Sequence, residues 1–291
     1  MKYIETPFNY TGSKYKLLNQ LLNEFDYKQK NFIDLFSGGG SVWTNILDKY
    51  ENVYINDIIY ELIYIQELLL LNPKDVIDKL RSDYYYIDKS DKDKYLSLRD
   101  EFNKNRDPYI FYSLLLSCTN NMIRFNKKGE FNQTFGKRNF NKNTEFKIYE
   151  WYNHVNKCNS KYFFYSDKFH RFVMNLYNKI EFDDSIFYID PPYGYIDDNG
   201  EIGRKQISEA GYNAFWSRDD ERYLYETIKF INMKHGKFVI SGLYEHNGNK
   251  SWLLEKLIDE GYVKKDFNFN YDKVSRVKNN KNSKEIIIKN F

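Results

Sequence analysis

The run Ile186-Phe-Tyr-Ile-Asp-Pro-Pro-Tyr193 puts a carboxylate directly after four apolar residues and directly before two prolines. Such a run reads as a short buried strand, and Pro191 and Pro192, which fix φ and lack an amide donor, end it abruptly. Asp190 and the carbonyl of Pro191 then stand together as acceptors at a strand end. That pair suits chemistry on an exocyclic amino group such as adenine's, a poor nucleophile because its lone pair is delocalised into the ring. Accepting both of its hydrogens favours a pyramidal nitrogen, and the same acceptors stabilise the charge that appears as a methyl group is transferred. Tyr193 offers a face on which an extruded base can stack. A proline strand terminator with a capping Asp is the plain structural alternative.

A second run, Phe32-Ile-Asp-Leu-Phe-Ser-Gly-Gly-Gly-Ser-Val42, passes from an apolar strand through a glycine loop into a helical pattern. Glycine lets backbone turn tightly and approach a ligand without a Cβ in the way. About twenty positions on, Asp57 closes the next apolar run, where an acid would hold a ribose hydroxyl. Strand, glycine loop, helix, strand and Asp in that order point to a nucleoside-type cofactor. Upstream, Phe8-Asn-Tyr-Thr-Gly-Ser-Lys14 is a turn before a helix, and Lys14 is suited to a carboxylate such as that of a methionine moiety.

The elements that must position these residues follow from periodicity. Strands are expected over 31–35, 53–56, 186–189, 238–241 and 285–291, and helices over 14–24, 42–49, 59–71 and 218–234. Their alternation implies an α/β fold with a mostly parallel sheet. From about 74 to 160 helical patterns dominate, broken by the turn signal Asn126-Lys-Lys-Gly-Glu130. This block reads as a helical insert carrying a β-hairpin, 122–126 against 130–135. The expected division is a catalytic core of 1–58 with 160–291 and an insert of 59–159. The polar, Gly-containing stretch 196–216 is expected to form a lid over the site.

Composition narrows the partners. The 291 residues carry a net charge of only +3, but residues 120–150 hold seven Lys/Arg against three Asp/Glu, and 264–291 hold eight against three. Two basic segments on an otherwise acidic chain suggest a local face for a polyanion. Cys118 and Cys158 make no disulfide framework or metal-ligand pattern, so no metal is expected and the setting is a reducing one. No apolar run approaches the roughly 20 residues that span a bilayer. Met1-Lys-Tyr-Ile-Glu has no apolar run of the secretory kind, and a cytoplasmic location is expected.

The three motifs, in this order, resemble those of the Dam-like adenine methyltransferases. Tyr10, Gly12 and Lys14 fall in that family's N-terminal motif, with Ser13 in place of a second glycine, and Phe36, Gly38 and Gly40 fit its Phe-x-Gly-x-Gly loop. Asp57 fits the ribose-binding acid and Asp190–Tyr193 the catalytic tetrad. Asn120-Asn-Met-Ile-Arg-Phe-Asn-Lys-Lys-Gly-Glu-Phe-Asn-Gln-Thr-Phe-Gly136 looks like the DNA-reading hairpin, and Lys284-Glu-Ile-Ile-Ile-Lys-Asn-Phe291 like the closing strand. The resemblance implies a Rossmann-like core that uses S-adenosyl-L-methionine, flips an adenine out of a short, palindromic duplex DNA site and methylates its N6. It also implies a monomer, and a restriction endonuclease as a partner in the same system. In that reading Asn120, Arg124, Asn126, Lys127, Lys128, Lys137 and Arg138 meet DNA, Arg124 reading a guanine edge and the lysines holding phosphates.

Two departures are informative. The family places an acid directly ahead of Phe to bind the cofactor's adenine, whereas here Asp167 stands one position further from Phe169. Members that methylate GATC follow the hairpin's Asn with Gly-Leu, whereas Met122 follows Asn121 here, which leaves other short sites such as CATG open. A ribosomal-RNA amino-methyltransferase and an inactive DNA-binding subunit are the rival readings. The basic insert argues against the first and the intact tetrad against the second. Cytosine-ring methylation needs a nucleophilic cysteine, and neither cysteine follows a proline.

Overall fold

The computed structural model describes residues 3–8, 10, 12–126, 128–192, 194–196, 202–206, 216–246, 248–267 and 283–291. Tyr193, Lys127 and most of the expected lid over 196–216 lie outside the described residues.

At the centre are β1 (Asn31–Asp34) and β4 (Ser185–Ile189), whose residues are all buried. Strands covered on both faces read as continuous apolar runs, which is why both were visible in the sequence. They pair in parallel, with Asp34 level with Tyr188. On one side follow β2 (Asn52–Asn56) and β3 (Lys161–Tyr165), and on the other β7 (Lys237–His246), all parallel to their neighbours. Beyond β7, β10 (Ser283–Lys289) runs antiparallel and carries β9 (Val263–Asp266) on its far edge. The order is thus β3-β2-β1-β4-β7-β10-β9, with short β8 (Asn249–Lys250) beside β7. β5 (Gly194–Ile196) and β6 (Ile202–Gln206) form a separate antiparallel pair. Chain direction across the sheet reverses between β1 and β4, and such a switch point opens a crevice at the carboxyl ends of the strands.

Helices cover both faces. On one lie α1 (Leu18–Leu21), α2 (Ser41–Ile46), α3 (Tyr60–Leu71), α4 (Pro73–Arg81), α5 (Lys92–Asn105), α6 (Pro108–Ser117) and α7 (Lys142–Lys157), sharing one apolar core. On the other lie α8 (Phe169–Tyr177), α9 (Arg218–Met233) and α10 (Trp252–Asp259). The insert does not sit apart from the sheet. Trp151 of α7 packs edge-on against Trp43 of α2 with ring centroids 5.7 Å apart, and its indole N–H donates to Thr44 Oγ1 at 2.9 Å. Gln66 of α3, fully buried, donates to the Gly38 carbonyl at 3.1 Å. The helical block therefore braces the glycine loop directly.

The expected hairpin is present as a tight turn with irregular flanks. Phe125 bridges Phe131, Asn126 N–H donates to the Glu130 carbonyl at 2.9 Å, and Asn132 N–H donates to the Arg124 carbonyl at 3.0 Å. Its base is closed where Cys118 bridges Phe135. A Cβ on Gly136 would lie 2.4 Å from the Cys118 carbonyl carbon, so backbone passes backbone there. Gly136→Ala is expected to destabilise the protein by about 1–3 kcal/mol, the usual cost of overpacking. An unchanged thermal midpoint for that variant would show that the base of the hairpin gives way freely.

Candidate active site

The crevice at the switch point is a cavity of about 280 Å³. The loop after β1 forms its floor. Gly38, at φ +50, has the Tyr10 ring so close that a Cβ would lie 2.7 Å from Cε1. Glycine here thus admits both the left-handed turn and the aromatic ring laid across it. Gly40, at φ +80, starts α2 and is packed under Trp43, away from the cavity wall.

Tyr10, Lys14, Phe36, Gly38 and Asp57, far apart in sequence, all line this one cavity, as do Asp167, Phe169 and Asp190. Asp57 is buried; its Oδ2 accepts from Gly38 N–H and its Oδ1 from Ile59 N–H, both at 2.9 Å. Burial raises its pKa, with these amide donors acting the other way. Asp167 points partly outward, pairing with Arg171 at 2.5 Å. Phe36, Phe169 and Trp216 group into an aromatic wall with ring centroids 5.5–5.8 Å apart.

Asp190 lies at the end of β4, as its prolines require. Its Oδ1 meets Lys14 Nζ at 2.9 Å, and Lys14 is itself almost fully buried. The Glu285 carboxylate of β10 is 3.9 Å from the same ammonium. Burial alone would lower the Lys14 pKa, but the Asp190 and Glu285 carboxylates outweigh it and hold the ammonium firmly protonated. Below them Tyr188 and Ser241 share a buried hydrogen bond of 2.7 Å.

Several wall residues were not singled out from the sequence. Asn56 links the ends of three strands, donating to the Leu35 and Asp167 carbonyls and accepting from Asp167 N–H. Asp34 is 1% exposed, and neither of its oxygens meets hydrogen-bond geometry with another group among the described residues. The available signal was an acid inside an apolar strand, Phe-Ile-Asp-Leu-Phe, and the same signal marks Glu285 ahead of three isoleucines.

Burial, then the neighbouring Asp190 and Asp57, push the Asp34 carboxyl well above the usual carboxylate range, with the nearby Phe36 amide acting weakly the other way. Folding therefore takes up a proton here, and stability falls as pH rises from the ordinary aspartate pKa towards the raised one. Asp34→Asn removes that slope. Without ligand, the variant should be at least as stable as the parent near neutrality and should gain on it by up to about 1.4 kcal/mol per pH unit within that window. Parallel stability–pH curves for the two proteins would show that Asp34 stays ionised when folded.

The expected DNA-facing residues cluster on the turn and its base. Asn120, Lys128, Lys137 and Arg138 are exposed. Asn126 is occupied within the turn, its Oδ1 accepting from the Lys128 and Glu130 amides. Arg124 is held by Asn132, with Nε donating to the side-chain oxygen at 2.9 Å and a terminal nitrogen donating to the carbonyl at 2.6 Å. Arg138 donates to Asn121 Oδ1 at 2.5 Å, and Asn120 and Asn121 both take left-handed φ, which forces a sharp corner.

Comparison with known proteins bears on this cavity. The sequence profile of the D12 class N6 adenine-specific DNA methyltransferases matches residues 10–269. The chain is 29% identical to the modification methylase StsI of Streptococcus sanguinis over its whole length, and 28% identical to the type II methyltransferase M.FokI of Planomicrobium okeanokoites over 87% of its length. It spans only 43% and 38% of those two proteins. With the DNA adenine methylase of Escherichia coli K12 it shares 27% identity over 66% of each chain.

Proposed function

Because the chain belongs to the D12 class N6 adenine-specific DNA methyltransferases, we propose that it transfers a methyl group from S-adenosyl-L-methionine to N6 of an adenine flipped from a specific duplex site. The observation that carries this reading is the Asp190 carboxylate, which lines a nucleoside-sized crevice together with the Asp57-latched glycine loop. A methyl donor follows from the family. Neither buried oxygen of Asp34 has a hydrogen-bond partner among the described residues, and the ammonium of S-adenosyl-L-methionine would supply one and favour the ionised carboxylate.

S-adenosyl-L-methionine, when bound, supplies the electrophilic methyl. Asp57 would hold the ribose, Asp34 the amino end, Phe36 and Phe169 the nucleoside base, with Tyr10 packed over the loop. Asp190 and the Pro191 carbonyl accept the hydrogens of the target amino group, and Tyr193 stacks on the base. Pro192 keeps the two acceptors in place. The chemistry then rests on position and electrostatics, with no covalent bond to the protein.

The insert of 59–159 is the recognition unit in this proposal, with Asn120, Lys127, Lys128, Lys137 and Arg138 against DNA. Its partner in the cell is a restriction endonuclease of the same specificity, and the protein works as a cytoplasmic monomer. Among the described residues no helix is long and apolar enough to cross a membrane.

Arg124 reads a guanine edge in this proposal, and its clasp by Asn132 presents the guanidinium in one orientation. Arg124→Ala should cost about 1–3 kcal/mol at the proper site and relax choice at a single base pair. Lys128→Ala should weaken binding evenly over all sequences and reduce the salt slope by about one. Methylation rates on every single-base variant of the site decide this, and an unchanged preference profile for Arg124→Ala removes its base-reading role. The function itself is tested by incubating the protein with labelled methyl donor and either duplex DNA or ribosomal RNA, then digesting to nucleosides. Label in N6-methyladenosine from RNA, with none in DNA, would replace this reading by the ribosomal one.

A further inference from the structure

Lys14 has two carboxylates within reach and bonds closely to only one. Its Nζ is 2.9 Å from Asp190 Oδ1 and 3.9 Å from Glu285 Oε1, and all three side chains are largely buried. Glu285 also has an oxygen, Oε2, that is buried with no hydrogen-bond partner among the described residues. It stands in β10 directly ahead of three buried isoleucines, beside a register shift between Lys284 and Glu285, and it lines the cavity. A buried carboxylate with an unsatisfied oxygen is costly, so its retention beside an ammonium that it barely touches calls for a physical reason.

We propose that Glu285 is a positioning residue for methyl transfer: it is the second seat of the Lys14 ammonium, to which Lys14 leans when the target amino group engages Asp190. The inference rests on the reading of Asp190 as the amino-group acceptor. With the site empty, the Lys14 ammonium holds the Asp190 oxygen and neutralises it. An incoming amino group offers weaker donors than an ammonium and would lose that competition if Lys14 had no other partner. Glu285 supplies one about a bond length further away, so Asp190 is released at little electrostatic cost and Lys14 stays paired throughout. No proton needs to move, because two carboxylates keep Lys14 charged in either seat.

The test is a double-mutant cycle in the full chain, read by single-turnover methyl transfer to duplex DNA, by separate affinities for cofactor and DNA, and by thermal midpoint. Glu285→Gln keeps the shape and removes the charge. It should slow transfer about 10–100-fold, as outer partners of active-site ligands are commonly worth, while both affinities stay close to those of the parent. Glu285→Asp should recover much of the rate. In a Lys14→Met background, Glu285→Gln should cost nothing further, because the residue acts only through Lys14. If Glu285→Gln unfolds or loses affinity, comparing Lys14→Met with Lys14→Met/Glu285→Gln still decides the matter, since no Lys14 charge then remains to be paired. Equal rates for Glu285→Gln and the parent, or losses that multiply across the cycle, would overturn the proposal. Failure of the parent protein to methylate adenine would instead strike at the function from which it starts.

Discussion

Asp190→Ala is expected to reduce single-turnover methyl transfer by at least about 10²–10³-fold, the usual worth of a preorganised group aimed at developing charge. DNA affinity should change little, because the carboxylate lies inside the crevice with Lys14 and not on the basic turn. The structure adds a complication that the sequence did not expose. Removing Asp190 leaves the buried Lys14 ammonium, among the described residues, with the Glu285 carboxylate at 3.9 Å. Breaking one half of a buried ion pair is destabilising in its own right, so Asp190→Asn is the better companion, keeping the volume and one acceptor oxygen. Both variants should be slow, and Asp190→Ala should lose more stability than Asp190→Asn, which still offers Lys14 a neutral acceptor. A folded Asp190→Ala retaining more than about a tenth of the parent's rate would mean that another group activates the amine.

Asp57→Ala is expected to have the second largest effect, and on binding more than on the chemical step. The carboxylate bridges Gly38 N–H and Ile59 N–H, so it holds the glycine loop as well as being available to a ribose. Its removal takes away a ligand contact and the latch that shapes the loop. Cofactor dissociation constants should rise on the order of 100-fold, corresponding to about 2.7 kcal/mol. The transfer rate at saturating cofactor should fall much less. Asp57→Asn can keep one amide contact and should lie between. Calorimetry showing the parent's affinity in Asp57→Ala would remove Asp57 from the cofactor site and leave it a loop fastener alone.

The sheet's centre was legible because β1 and β4 are buried on both faces and carry little but apolar residues. The edge was not. β3 alternates poorly, with exposed Lys161 and Phe163, and follows a long helical block, so its five residues carry no distinctive period. In the site, motif residues could be found one by one because glycine, proline and a strand-ending acid each have a local mechanical reason. Asn56 and Trp216 have none. Their roles come from the meeting of strand ends in space, which local pattern does not encode. The hairpin was readable at its turn, where Asn126 and Gly129 set the geometry, and unreadable in its consequence that Asn132 clasps Arg124. The insert's boundaries are likewise blurred by packing, since Trp43 and Trp151 meet across them.

The central claim, site-specific N6 methylation of adenine in DNA, is tested most directly by single-molecule sequencing of DNA from cells expressing the parent protein or its Asp190→Ala variant. The account predicts N6-methyladenine at nearly every copy of one short sequence with the parent and none above background with the variant. Unmodified adenines in both samples, or a modified base other than adenine, would contradict it.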